Sequence, residues 1–179
     1  IPPAVQEFVL SVGINMVAGY GLTESIATVS CENNFDHEIG SVGKLMPHME
    51  IKFGENDEIL LKGPAITKGY YKKEAATKAA FTEDGWLRTG DLGYMDKKQN
   101  VFIRGRIKSM FLGASGQNIY PEEIEDKLNN QQGVAESIVV EREGKLIGLV
   151  FPDEEATKGF SLAEVERMMK ENLKKLNDL

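Results

Sequence analysis

Side chains able to do chemistry concentrate between Trp86 and Ser109, in the run WLRTGDLGYMDKKQNVFIRGRIKS. An Arg-Thr-Gly-Asp turn at 88–91 presents one carboxylate, Asp91, directly after a glycine. A second apolar run, Val101–Ile103, leads to Arg104, Arg106 and Lys108. Alternate residues of a strand share a face, so these three cations are expected on one side. A carboxylate binds vicinal hydroxyls, and the planar fork of Arg matches phosphate. Together they suit a ligand that carries both. The same residues also describe a plain turn followed by a strand end, and the spacing alone does not separate the two.

A second cluster is GYGLTES at 19–25. Gly19 and Gly21 permit tight backbone turns. The ring of Tyr20 can stack on a base, the hydroxyl of Thr23 can donate to phosphate, and Glu24 is a hard carboxylate of the kind Mg²⁺ takes. The alternative is a glycine turn between two strands with a capping Thr or Ser. GSVGK at 40–44 lacks the spacing of a phosphate loop and has no Ser or Thr after its lysine, so it reads as a turn.

Composition narrows the classes. The chain has 179 residues, 41% hydrophobic and 27% charged, the balance of an ordinary globular protein. A net charge of −7 argues against a nucleic-acid partner, which needs surplus cations. The single cysteine, Cys31, excludes an internal disulfide, and His37 and His48 have no companions at zinc-ligand spacing. No apolar run approaches the roughly 20 residues of a membrane-spanning helix.

The two clusters, YGLTE and WLRTGD followed by the Gly105-Arg106 pair, resemble the signatures of the adenylate-forming superfamily: acyl-CoA synthetases, luciferases and peptide-synthetase adenylation domains. The run GPAITKGYYKKEAATKAAFTEDGWLRTGD matches that family almost continuously. The resemblance implies ATP or AMP, Mg²⁺ and coenzyme A as ligands, with a small-molecule carboxylic acid as substrate. It places Tyr20 against adenine with Gly19 and Gly21 beside it, Thr23 at the α-phosphate, Glu24 at Mg²⁺, and Asp91 and Arg106 on the ribose. Ile103 would line the adenine pocket, although an apolar strand residue also serves as simple core. Lys108 would be the pivot between two domains. Gly113 and Gly116, in the loop 113–118, would let backbone approach the pantetheine arm. The family usually has a glycine where Asn100 stands; Asn also tolerates left-handed backbone.

The elements that must position these groups follow from periodicity. A helix is expected over 2–12, a buried strand over 14–18, a strand over 26–31, a hairpin from 49–53 and 58–62, and a helix over 73–81. A second hairpin should join 94–96 to 101–104. Beyond it, Pro121 opens a helix with acidic residues in its first turn, and strands 134–142 and 145–151 meet through Glu143-Gly144. Ser161 and Glu164 form a capping-box pattern ahead of an apolar helix face of Leu162, Val165, Met169 and Leu176. The expected fold class is α+β: a β-barrel-like subdomain ending a large AMP-binding domain (1–107), then a small mobile α+β lid (108–179), incomplete here.

The absence of an initiator Met and the Ile-Pro-Pro start read as a fragment of something longer. In the family, a Ser/Thr/Gly-rich phosphate loop would lie upstream and a late catalytic lysine downstream, so the fragment alone is expected to be inactive. GASGQNIYPEEIEDKLNN with GKLIGLVFPDEE is most similar to bacterial long-chain fatty-acid synthetases. Adenylation of another acid for a carrier protein, or a non-catalytic binding module, is the alternative. The class implies a cytoplasmic enzyme; peripheral contact with the inner membrane face stays open, since fatty substrates partition into membranes, but no basic amphipathic anchor is visible.

Overall fold

The computed structural model describes residues 2–113 and 117–177. The chain divides into two compact units, Ile1–Lys108 and Ser109–Leu179.

The first unit opens on helix α1 (Pro3–Ser11), with proline in its first turn. Its one buried residue is Gln6, and what Gln6 touches fixes the next thirty residues. Gln6 Nε2 donates to Glu32 Oε2 at 3.0 Å, while Gly40 N donates to Gln6 Oε1 at 2.8 Å. Glu32, only 5% exposed, also accepts from Ala18 N, Glu38 N and Ser41 Oγ. This explains a departure from expectation. Residues 14–18 form no strand; Ile14 and Val17 are exposed, and the segment is held by the Glu32 side chain and main chain.

Strands β1 (Gly19–Tyr20), β2 (Ser30–Cys31) and β3 (Lys44–Leu45) make an antiparallel sheet in that order. The strand expected over 26–31 shrinks to its last two residues, because Ile26 and Ala27 adopt left-handed φ values of 52° and 80°. A second antiparallel sheet has the order β4 (Glu50–Phe53), β5 (Glu58–Lys62), β6 (Leu87–Met95), β7 (Val101–Arg106). Helix α2 (Glu74–Ala80) lies between β5 and β6 in the chain. The two sheets join where Val42 N donates to Val101 O at 2.8 Å and Val101 N donates to Gly43 O at 2.9 Å. Val29, Met49, Ile59 and Leu61 form the core between them, with Tyr20, Ile51, Phe53 and Ile103 packed around it.

The Arg-Thr-Gly-Asp segment is not a turn. It lies inside β6, at an irregularity in the pairing with β5 between Glu58 and Leu60. Gly90 takes a φ of +71° there, and Thr89 Oγ1 donates to Ile59 O at 2.8 Å, satisfying a carbonyl beside the irregular stretch.

In the second unit, β8 (Phe111–Leu112) pairs with β9 (Asn118–Ile119). Helix α3 (Pro121–Asn129) carries Glu122 and Glu123 in its first turn, where the helix dipole favours anions. Strands β10 (Val134–Arg142) and β11 (Lys145–Pro152) pair in register through Glu143 and Gly144, both at positive φ, as a tight hairpin turn requires. Helix α3 packs on β10, where Glu125 Oε1 accepts from Val139 N at 2.7 Å. Helix α4 (Leu162–Asn177) starts with Glu164 Oε2 accepting from Ser161 N at 2.8 Å. Its inner face differs from expectation: Leu162 is 77% exposed, and Asn172 is buried instead, donating to Gln132 O at 2.9 Å. The fold class is α+β, as expected.

Ile59, fully buried in β5 and part of the core, sets a stability test. Ile59→Ala should cost about 2–5 kcal/mol, whereas Leu162→Ala should stay within about 0.5 kcal/mol, read from urea unfolding midpoints.

Candidate active site

Asp91 is the residue around which the first unit's polar groups converge. It sits in β6 at 5% exposure, opposite Arg106 of β7. Arg106 Nε lies 2.8 Å from Asp91 Oδ1. The hydroxyl of Tyr20, at the end of β1, donates to Asp91 Oδ2 at 2.7 Å. The main chain beneath it is fixed by Thr89, whose Oγ1 accepts from Asp91 N at 3.0 Å. A second buried carboxylate supports it: Glu58 accepts from Arg88 Nη1 at 3.0 Å and from Gly90 N at 3.3 Å. Residues from three strands thus present one anion, one phenol and one largely exposed guanidinium at a single place.

Burial, and then the facing Asp91 carboxylate, push the Tyr20 hydroxyl far above the usual tyrosine range. The phenol therefore stays protonated and donating.

The GYGLTES residues lie beside it in sequence and in the same unit. Gly21 admits no side chain, because a Cβ there would overlap the carbonyl of Ala27. A Cβ on Gly19 would stand 3.2 Å from Ser30 O across the β1–β2 pair. Thr23 and Glu24 occupy a single 3₁₀ turn, Thr23–Ser25, whose backbone Ser25 ties down: Leu22 N donates to Ser25 Oγ at 2.9 Å, and Ser25 Oγ to Leu22 O at 3.0 Å. Thr23 is exposed and Glu24 half-buried. The Glu24 carboxylate accepts from the hydroxyl of Tyr70 at 2.7 Å.

The structure does not gather every residue singled out in sequence. Ile103 packs on the Val29–Ile59–Leu61 core. Arg104 stands at an irregularity in the β6–β7 ladder, 3.6 Å from Asp57 and over the ring of Tyr94, so the expected alternation of three cations on one face is broken. Lys108 lies beyond the end of β7 and is exposed. Gly113 belongs to the second unit, with its N donating to Gln117 O at 2.8 Å; Gly116 lies outside the described residues. Sequence reasoning missed Tyr70, Glu58 and Thr89. Glu58 carried a signal, an acidic residue opening the apolar run Ile59–Leu61; Tyr70, 46 positions from Glu24, carried none.

Among the described residues, no cluster of three or more His, Cys, Asp or Glu side chains could hold a metal by itself. A lone carboxylate such as Glu24 fits Mg²⁺ all the same, since Mg²⁺ commonly takes one or two carboxylates and completes its octahedron with water and substrate phosphates. No helix among the described residues is long and apolar enough to cross a membrane.

The chain is similar in sequence and fold to known proteins. Residues 1–71 match the family model described as AMP-binding enzyme. The chain is 36% identical over 154 residues to a long-chain-fatty-acid–CoA ligase of Mycobacterium bovis, covering 86% of this chain and 26% of that protein. It is 39% identical over 139 residues to a 2-succinylbenzoate–CoA ligase of Listeria monocytogenes, covering 76% and 29%. Among solved structures, the o-succinylbenzoate coenzyme A synthetase of Bacillus subtilis in complex with ATP and magnesium ion superposes with a TM-score of 0.77 at 30% identity, covering 96% of this chain and 38% of that one. ATP-bound MatB of Rhodopseudomonas palustris gives 0.77 at 28% identity, covering 93% and 36%. The chain spans just over a quarter of the length of these curated relatives.

The Tyr20–Asp91 contact predicts an alkaline phenotype. A tyrosine whose folded pKa is raised stabilises the fold below its unfolded value of about 10, and that contribution is lost as pH rises past it. Near-UV titration of the five tyrosines should show a late-ionising phase that is absent in Tyr20→Phe. Stability of the unsubstituted protein should fall more steeply above pH ~10 than that of the variant.

Proposed function

From the match of residues 1–71 to the AMP-binding enzyme family and the likeness to acid–CoA ligases, we propose that the chain belongs to that family and is part of a longer ATP-dependent acid–CoA ligase. In that reaction a carboxylate attacks the α-phosphate of ATP to give acyl-adenylate and pyrophosphate. A thiol, that of coenzyme A, then attacks the acyl carbon and AMP leaves. The observation that carries the reading is the buried Asp91 carboxylate, gripped by Tyr20 and Arg106 from two neighbouring strands.

The roles are those the family resemblance implies, and the geometry is compatible with them. Asp91 offers carboxylate oxygens to ribose hydroxyls, with Arg106 beside it. Tyr20 is fixed by its own hydroxyl, so its ring is pre-oriented for the base. Thr23, exposed on its turn, donates to the α-phosphate, and Glu24 faces the cation. When bound, Mg²⁺ neutralises charge on the phosphate oxygens. Catalysis in this reading is positioning and charge neutralisation, with no covalent intermediate on the protein. The first unit is the end of the large nucleotide-binding domain, the second the mobile lid, and Lys108 the pivot. The glycines of the 113–118 loop then serve the thioester step.

The finer reading is a long-chain fatty acid as substrate, supported by the resemblance to the Mycobacterium bovis ligase. A second reading, an aromatic acid, has equal support from the Listeria monocytogenes relative. The full-length protein, assayed for ATP- and CoA-dependent thioester formation with fatty acids of increasing length, acetate, benzoate and 2-succinylbenzoate, separates them. A rate rising toward long chains supports the first; a preference for 2-succinylbenzoate replaces it with the second. Turnover with no acid overturns the CoA-ligase reading, and a phosphopantetheinylated carrier protein is then the acceptor to try. Asp91→Ala should lower nucleotide affinity about 10- to 100-fold, the loss expected for one charge-assisted hydrogen-bonded partner.

A further inference from the structure

Resting on the reading of Glu24 as the carboxylate that faces magnesium, we propose that Tyr70 is a positioning residue that presents Glu24 to the cation. Glu24 sits half-buried on a single turn, where a three-torsion side chain would otherwise sample several rotamers. Tyr70 reaches it from a loop 46 residues on and donates its hydroxyl to Oε1 at 2.7 Å. That bond occupies one carboxylate oxygen and leaves Oε2 to approach a metal. A ligating carboxylate is typically held in this way by a hydrogen bond from outside the coordination sphere.

The loop that carries Tyr70 is built to keep it there. Thr67 N donates to the main-chain oxygen of Glu24 at 2.7 Å, so loop and turn are locked backbone to backbone. Thr67 Oγ1 closes on Gly69, donating to its carbonyl at 3.1 Å and accepting from its N at 3.2 Å. Gly69 adopts a φ of +136° and packs so tightly on Thr77 that a Cβ would overlap that side chain. Thr77, in α2, accepts from Tyr70 N at 2.9 Å. Tyr70 is thus fixed at its own main chain, its O accepting from Lys73 N at 3.1 Å, while the residue remains 40% exposed with its hydroxyl directed at Glu24.

The test uses the full-length protein and Mn²⁺ as a paramagnetic stand-in for Mg²⁺, titrated in the presence of a non-hydrolysable ATP analogue. Tyr70→Phe should weaken Mn²⁺ binding about 10- to 100-fold. Affinity for AMP without metal, which depends on Asp91, should not change; this also reports that the variant is folded. Glu24→Gln should weaken Mn²⁺ as well, and adding Tyr70→Phe to it should produce no further loss, because both act through one carboxylate. An unchanged Mn²⁺ affinity in Tyr70→Phe, with Glu24→Gln impaired, overturns the role of Tyr70 and leaves that of Glu24 standing. Equal losses of AMP and Mn²⁺ affinity in Tyr70→Phe mark a purely structural residue and also overturn it. Full Mn²⁺ affinity in Glu24→Gln removes the metal reading of Glu24, and the proposal with it.

Discussion

A carboxylate removed from water must be paired and hydrogen-bonded or it destabilises the fold. Asp91 meets that condition only when β1, β6 and β7 are all in place, because Tyr20 comes from the first and Arg106 from the last. The site is therefore a consequence of the completed sheet and has no local existence. Arg106 is 60% exposed in its side chain, so its attraction is screened by solvent, and the phenol of Tyr20 supplies the better shielded contact. A ligand that took an Asp91 oxygen would compete with bonds the protein already makes: the exposed Arg106 could turn to water, whereas the shielded Tyr20 hydroxyl would need a new acceptor.

The same device recurs where the backbone departs from regular ladders. Glu32 takes hydrogen bonds from Gln6, Ala18, Glu38 and Ser41, and Glu58 takes them from Arg88 and Gly90. An ionised carboxylate offers about four lone-pair sites, so one side chain can satisfy several N–H groups that no strand reaches. The first unit is held by apolar packing at its centre and by buried acids along its irregular edges. Glycine completes the arrangement at close approaches: Gly21 lies against the Ala27 carbonyl, and Gly43 against the backbone at Cys31 and Glu32, positions where any Cβ would collide.

Much of this was legible in the sequence where one physical rule dominated. Strict alternation located β4 and the turn after it located β5, proline in the first turn located α1 and α3, and Glu143-Gly144 marked the hairpin of the second unit. The rule failed where a different partner supplied the hydrogen bonds. Residues 14–18 have the composition of a strand but pair with a side chain, and Ile26 is β-branched yet left-handed. Thr-Gly-Asp reads as a turn because Gly90 needs positive φ, and an irregular strand position requires the same. Residue types in the site could be read from YGLTE and RTGD. Their pairings could not, since Tyr20 and Asp91 are 71 positions apart and Glu24 and Tyr70 are 46 apart.

The end of β7 bears on the pivot proposed at Lys108. Asp91 requires Arg106 in register, so the ladder must be rigid to that point. One further bond, Ile107 N to Gly90 O at 2.9 Å, is the last that joins this strand pair among the described residues. Lys108 follows, exposed and past the ladder. Rotation about the backbone at Lys108, the proposed pivot, breaks no hydrogen bond of the β6–β7 pair and leaves the Asp91–Arg106 contact intact. Rotation two residues earlier would pull Arg106 from its carboxylate. A pivot at Lys108, as proposed, would therefore leave the geometry around Asp91 unchanged as it turned.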